Sequence, residues 1–193
     1  MSLRPEISGF SLTALRRLAG SRDSGLVRRL TSRLDELIET DDPDFKQHVG
    51  KIVEQAVMKG IPFPGLDVEE DPHVMAVQLL ALEGQEHLPT GSNIWKHGIF
   101  DELLDGTEEQ FGPETTRLLR YFIEGRPLLG KQIASSWSHY AWLETREVKA
   151  LHGGLANFLE DNSDPTGEGF LEEFQSWLAS IHEAGRDLWL FTQ

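Results

Sequence analysis

The sequence predicts an α+β fold: a predominantly helical single domain, residues 1–193, with a small sheet of a few short strands. Three observations predict it. Apolar residues recur at three- and four-residue steps along most of the chain, the period of a half-buried helix. Only three stretches read as strand, at residues 7–10, within 133–143 and at 188–191, and a few short strands among many helices gather into one sheet. The length suits one domain that buries about 70% of its unfolded surface, and no repeat of fixed period or low-complexity tract divides it.

The elements follow in order. Ser11 precedes Leu12, Leu15 and Leu18, with Gly20 behind them, the pattern of a short helix with an N-cap and a glycine stop. Leu26, Leu30, Leu34, Leu37 and Ile38 then form one apolar stripe beside an arginine face. Asp42-Pro43 places a capping carboxylate before a proline at the first helical position. The helix it opens buries Phe45, Val49, Ile52, Val53, Ala56 and Val57 and stops at Gly60. Pro62 and Pro64 force an extended connection, and Asp71-Pro72 repeats the start signal ahead of Val74, Val77, Leu80 and Ala81. Ser92 or Asn93 opens a helix carrying Ile94, Trp95, Ile99, Leu103 and Leu104 as far as Gly106. Pro113 begins another through Leu118, Leu119, Phe122 and Ile123 to Gly125. Residues 145–160 and 169–184 supply the last two of eight helices.

Composition narrows the function. The chain has no cysteine, which removes disulfides, thiolate zinc sites, iron–sulfur clusters and cysteine nucleophiles and fits a reducing compartment. Arg16, Arg17, Arg22, Arg28 and Arg29 break any apolar run near the start that could serve as a secretory signal. No run of about 18 apolar residues occurs either, so a cytoplasmic protein without a membrane span is expected. The formal charge is −14, and it is unevenly spread. Residues 1–33 hold seven Arg against Glu6 and Asp23, a net of +5; the remaining eleven basic and thirty acidic residues give −19. An acidic body repels phosphate backbones and argues against nucleic-acid binding. The arginine-rich start reads either as a solvated face or as a local anion patch.

Several motifs come close to a known chemistry. Gly125 to Gln132 has the frame of a phosphate-cradling loop, GxxxxGK, but Gln132 stands where a Ser or Thr must hold magnesium. A helix also precedes it where a buried strand is required, so the stretch reads as a helix stop and a turn. Asn162, Asp164, Thr166 and Glu173, with Gly167 at the sixth position, fit the loose form of a calcium loop between two helices. Asn162 in place of aspartate, Pro165 inside the loop and the lack of a paired loop favour instead a solvated acidic loop with a helix cap. The seven histidines, His48, His73, His87, His97, His139, His152 and His182, include no HExxH and no pair three or four apart on one helix. A zinc site from a single helix is therefore absent, and one assembled from distant residues is unreadable from sequence. GxSxG and GxGxxG are missing too, and no cofactor is expected. Trp95, His97, Trp137, His139, Tyr140 and Trp142 crowd two short, polar-interrupted segments. They either build the core or line a small-molecule or peptide site.

Three segments resemble one family. The run Asn93-Ile94-Trp95-Lys96-His97-Gly98-Ile99-Phe100-Asp101-Glu102-Leu103-Leu104-Asp105-Gly106 is similar to a Trp-His, Leu-Leu helix of the bacterial YfbM-like family, a domain of unknown function. Pro127-Leu128-Leu129-Gly130 and Tyr140 to Val148 resemble its glycine turn and the helix start after it. Phe174 to Ser180, then Gly185 and Leu188–Phe191, resemble its closing helix and strand. Within residues 1–92, Leu12, Leu15 and Gly20-Ser21-Arg22-Asp23 look more like a separate uncharacterised bacterial family. The resemblance implies a small α+β domain in a bacterial cytoplasm and lends no activity.

Two functional expectations follow. The first is an acidic interaction module, immunity- or regulator-like, that masks a basic protein partner, because opposite charge speeds encounter. The second is a small-ligand protein or enzyme with histidine as acid–base in a pocket of Trp95, His97, Trp137, His139 and Tyr140.

Overall fold

A computed structural model describes residues 5–38, 40, 42–60, 70–83, 98–105, 107–128, 139–167 and 169–192. Strand β1 (Pro5–Phe10) leads into five helices: α1 (Leu12–Leu18), α2 (Ser24–Ser32), α3 (Leu34–Leu37), α4 (Pro43–Lys59) and α5 (Glu70–Glu83). Three more follow, α6 (Ile99–Leu104), α7 (Glu108–Phe111) and α8 (Pro113–Glu124). Strand β2 (His139–Leu143), a hairpin of α9 (Thr145–Asp161) and α10 (Phe170–Glu183), and strand β3 (Asp187–Thr192) complete the order. The fold is predominantly helical α+β, as the residue periods predict.

Local chemistry starts and stops the helices where the sequence signals stand. Ser11 Oγ accepts the Ala14 N–H at 3.1 Å, and Asp42 Oδ1 accepts the N–H groups of Asp44 and Phe45 at 2.9 and 3.3 Å. Each satisfies donors that a helix start leaves orphaned. Gly60 ends α4 with φ +65°. Gly20 packs so closely on it that a Cβ on either residue would meet the other's Cα at 3.0–3.1 Å, so neither position has room for a side chain. Helix α5 buries residues all round from Pro72 to Ala81 except at Met75, as a helix inside the protein must.

The three strands form one antiparallel sheet in the order β1-β3-β2, with Ile7 opposite Leu190 and Trp142 opposite Trp189. Because side chains alternate along a strand, the sheet has two unlike faces. Phe10, Tyr140, Trp142, Trp189 and Phe191 meet α1 to α5. Ile7, Ala141, Leu143, Leu188 and Leu190 meet α6 to α10. The sheet is thus the middle of three layers, with the earlier helices on one face and the later ones on the other. Asp187, the first residue of β3, joins the two: Oδ2 accepts the Leu12 N–H of α1 at 2.8 Å. Its Oδ1 accepts from the Thr145 N–H and hydroxyl of α9 at 2.8 and 2.9 Å.

Two expectations are corrected. The stripe from Leu26 to Ile38 is not one helix. Thr31 Oγ1 donates to Val27 O and Ser32 Oγ to Arg29 O, back-bonds that loosen a helix end, and Arg33 separates α2 from α3. The helix expected from Ser92 or Asn93 through Leu104 is not continuous: α6 begins at Ile99, because Gly98 takes φ +81° and no helix runs through a left-handed residue, while Ser92 to His97 lie outside the described residues. The short α7 was not expected. Pro62 and Pro64 lie outside the described residues.

Candidate functional site

Three consecutive helices build a strongly charged concavity. In α6, Ile99, Phe100, Leu103 and Leu104 are buried, which turns Asp101 and Glu102 outward, with Asp105 just past the helix end. Helix α7 buries only Phe111 and exposes Glu108, Glu109 and Gln110. Helix α8 buries Thr115, Leu118, Leu119 and Phe122 and leaves Arg120 and Glu124 at the surface. Between them lies an open groove of ≈ 920 Å³ lined by Asp101, Glu102, Asp105, Glu108, Glu109 and Glu124, with Arg120 as the only cation among the described lining residues. Arg120 is engaged from both sides: Nη2 to Glu108 Oε1 at 2.6 Å and Nη1 to Glu124 Oε1 at 3.6 Å. Among the described lining residues, carboxylates outnumber cations, and the groove carries a negative bias. The first-turn acids Asp101, Glu102, Glu108 and Glu109 are tolerated so close together because helix starts favour negative charge. Thr116 Oγ1 to Glu108 O at 3.0 Å and Thr107 Oγ1 to Leu103 O tie the rim together. A neighbouring groove of ≈ 810 Å³ along α9 mixes Glu109, Glu114 and Asp161 with Arg146 and Lys149 and has no such bias.

The expected aromatic pocket is only partly within the described residues: Trp95, His97 and Trp137 lie outside them. His139 opens β2 with its backbone opposite Thr192. Tyr140 is fully buried and stacks on Trp189 with centroids 5.2 Å apart. Burial pushes its hydroxyl well above the ordinary tyrosine range, with the Leu128 backbone opposing only in part. Trp142 is 6% exposed and donates its indole N–H to Pro127 O at 3.2 Å. These two residues therefore build core rather than line an opening.

Beside Trp142 lies an arrangement that sequence reasoning missed. The Arg126 guanidinium sits between the rings of Trp142 and Tyr121, 3.7 and 4.4 Å from their centroids. It forks onto Glu147, Nη1 to Oε2 at 2.6 Å and Nη2 to Oε1 at 3.2 Å, and also donates to Trp142 O at 3.0 Å. The Glu144 N–H, at the start of α9, donates to Glu147 Oε2 at 2.9 Å. Burial alone would raise the Glu147 pKa. The Arg126 hydrogen bonds, the Glu144 N–H and the charges of Arg126 and Arg117 outweigh it, and the carboxyl is held below its usual range. Arg126 and Glu147 are 21 residues apart, and no local spacing announces the pair.

In the calcium-like loop, both Asp164 oxygens accept from the protein itself. Oδ1 takes the Thr166 N–H and hydroxyl at 2.8 and 2.7 Å, and Oδ2 the Leu171 N–H at 2.9 Å. Asn162 donates Nδ2 to Phe158 O at 2.9 Å, and Glu173 lies on α10. The loop geometry is that of a helix connection closed by an aspartate. Among the described residues no group of three or more His, Asp or Glu is placed to hold a metal ion, and no helix is long and apolar enough to cross a membrane. Compared with protein-family models, curated proteins and solved structures, the chain matches none.

Proposed function

We propose that this chain is an acidic protein-binding module of the bacterial cytoplasm, immunity- or regulator-like, whose groove between α6, α7 and α8 receives a basic segment of a partner protein. One observation carries the reading: among the described residues, six carboxylates line one open groove with Arg120, which itself pairs with Glu108 and Glu124. Such a surface attracts cations over about a Debye length, roughly 10 Å at 0.1 M salt, and raises the rate of encounter with an oppositely charged protein. The resemblance of residues 93–193 to the YfbM-like family belongs to the same proposal and adds no activity to it. The runner-up, a Trp/His pocket, has less support, because Tyr140 and Trp142 have their polar atoms turned to Leu128 and Pro127 inside the protein.

The test is fluorescence anisotropy of a labelled Lys/Arg-rich peptide against the full chain. Binding should weaken steeply with salt, and Glu108→Lys with Glu109→Lys should weaken it by about tenfold or more, about 1.4 kcal/mol. A peptide that binds the charge-reversed variant as tightly as the unaltered chain would remove the groove from the account.

A further inference from the structure

The α9–α10 hairpin brings together two histidines that lie 30 residues apart in sequence. His152 on α9 and His182 on α10 face each other with ring centroids 6.1 Å apart and planes inclined by 37°. Both are partly buried. Their neighbours Leu151, Leu155, Leu178 and Ile181 are buried, so the two helices hold the rings on firm backbone. His182 Nδ1 is buried and has no hydrogen-bond partner among the described residues. A buried ring nitrogen without a partner costs free energy in either tautomer, and coordination is one way to use its lone pair.

We propose that His152 and His182 form a two-histidine site for a divalent first-row transition metal ion. A metal held about 2.0–2.1 Å from one nitrogen of each ring places the ring centroids roughly 5–6 Å apart, depending on the angle at the metal. The observed 6.1 Å lies at the wide end of that range. Imidazole nitrogens suit zinc, nickel and copper, and copper(II) binds such ligands most tightly. The described residues bring no further cluster of His, Asp or Glu to the pair, so water completes the coordination. The bound ion exchanges readily, and it pins α9 to α10.

Copper(II) is the probe for the test, followed by calorimetry and by electron paramagnetic resonance on the full chain. The unaltered protein should bind one equivalent at this site with a nitrogen splitting pattern from two imidazoles. His152→Gln and His182→Gln should each weaken binding by at least about tenfold, with one nitrogen lost from the pattern. Unchanged affinity and splitting in either variant would overturn the proposal, as would the absence of a two-nitrogen signal in the unaltered protein. Because substitution of His182, whose Nδ1 is buried, can itself disturb the packing, His152 supplies a second readout. Zinc should raise the melting temperature of the unaltered chain and leave that of His152→Gln in place. An equal rise in both would also refute the site.

Discussion

The two helical layers solve the same packing problem in opposite ways. Facing α1 to α5, the buried hydrophobic residues of the sheet are aromatic: Phe10, Tyr140, Trp142, Trp189 and Phe191. The hydrophobic helix residues buried opposite are aliphatic, among them Val49, Val53, Ala56, Val57, Val74, Ala76 and Ala81. Facing α6 to α10, the sheet offers Ile7, Ala141, Leu143, Leu188 and Leu190, and the aromatic bulk comes from the helices as Phe100, Phe111, Phe122, Phe158, Phe170 and Phe174. Close packing requires large side chains on one surface to meet small ones on the other. Both faces meet that condition, with the roles of sheet and helix exchanged. Tyr140, Trp142 and Trp189 also bring polar atoms inward, so the first layer carries buried hydrogen bonds. Trp189 Nε1 donates to Gln78 Oε1 at 2.7 Å, for example, whereas the second layer is held by rings packed edge and face, as in Phe100 against Phe170 and Phe174.

The strongest way to break this contrast is at Trp189. Trp189→Ala should cost about 3–5 kcal/mol, because the aliphatic helices opposite cannot refill the volume and Gln78 loses its donor. Urea unfolding measures it. A loss below about 1 kcal/mol would mean that the face tolerates a void and that the division of bulk is not what holds it.

The next largest effect lies where the layers meet, at Arg126 and Glu147. Glu147→Ala leaves a guanidinium that is 15% exposed without its carboxylate and should cost about 3 kcal/mol. The same pair sets an acid response. Since the folded carboxyl is held below its unfolded value, its contribution is complete above the unfolded glutamate pKa and is lost as pH falls through the folded one. Unfolding curves taken down the acid range should therefore steepen for the unaltered chain and flatten for Glu147→Gln; parallel curves would contradict the linkage.

Adjacent glycines in α9 give the smallest and sharpest pair. A Cβ on Gly154 would run into Thr115 of α8, whereas one on Gly153 meets nothing within 4 Å. Gly154→Ala should destabilise by about 1–3 kcal/mol. Gly153→Ala should stabilise by about 0.5–1 kcal/mol, by removing backbone entropy from a helix interior. Thermal melts of the two variants shifting in the same direction would show that the α8–α9 contact is looser than its geometry.

Much of the fold was legible because its signals are local. Ser11, Asp42 and Gly60 act within one helical turn of where they stand, and the β2 and β3 segments stand out as short apolar runs, Tyr140 to Leu143 and Leu188 to Phe191. The break at Arg33 was less so: the periodic stripe continues across it, and only the paired back-bonds of Thr31 and Ser32 hint at a kink. The site was less legible still. The acidic residues were counted as a net charge, but their gathering depends on α7, a single turn too short for any period to reveal. Arg126 with Glu147, and His152 with His182, are juxtaposed by the hairpin and the sheet, across separations that carry no pattern. The tryptophan and tyrosine of β2 illustrate the reverse case. Trp142 and Tyr140 read from the sequence as core first and pocket second, and strand alternation decides for the core by pointing both at the α1–α5 layer.

Backbone amide shifts during titration with a Lys/Arg-rich peptide test the groove of α6, α7 and α8 most directly. The prediction is that shifts concentrate at residues 101–109 and 120–124 and vanish as salt is raised. Shifts centred elsewhere on the molecule, or none at low salt, would contradict it.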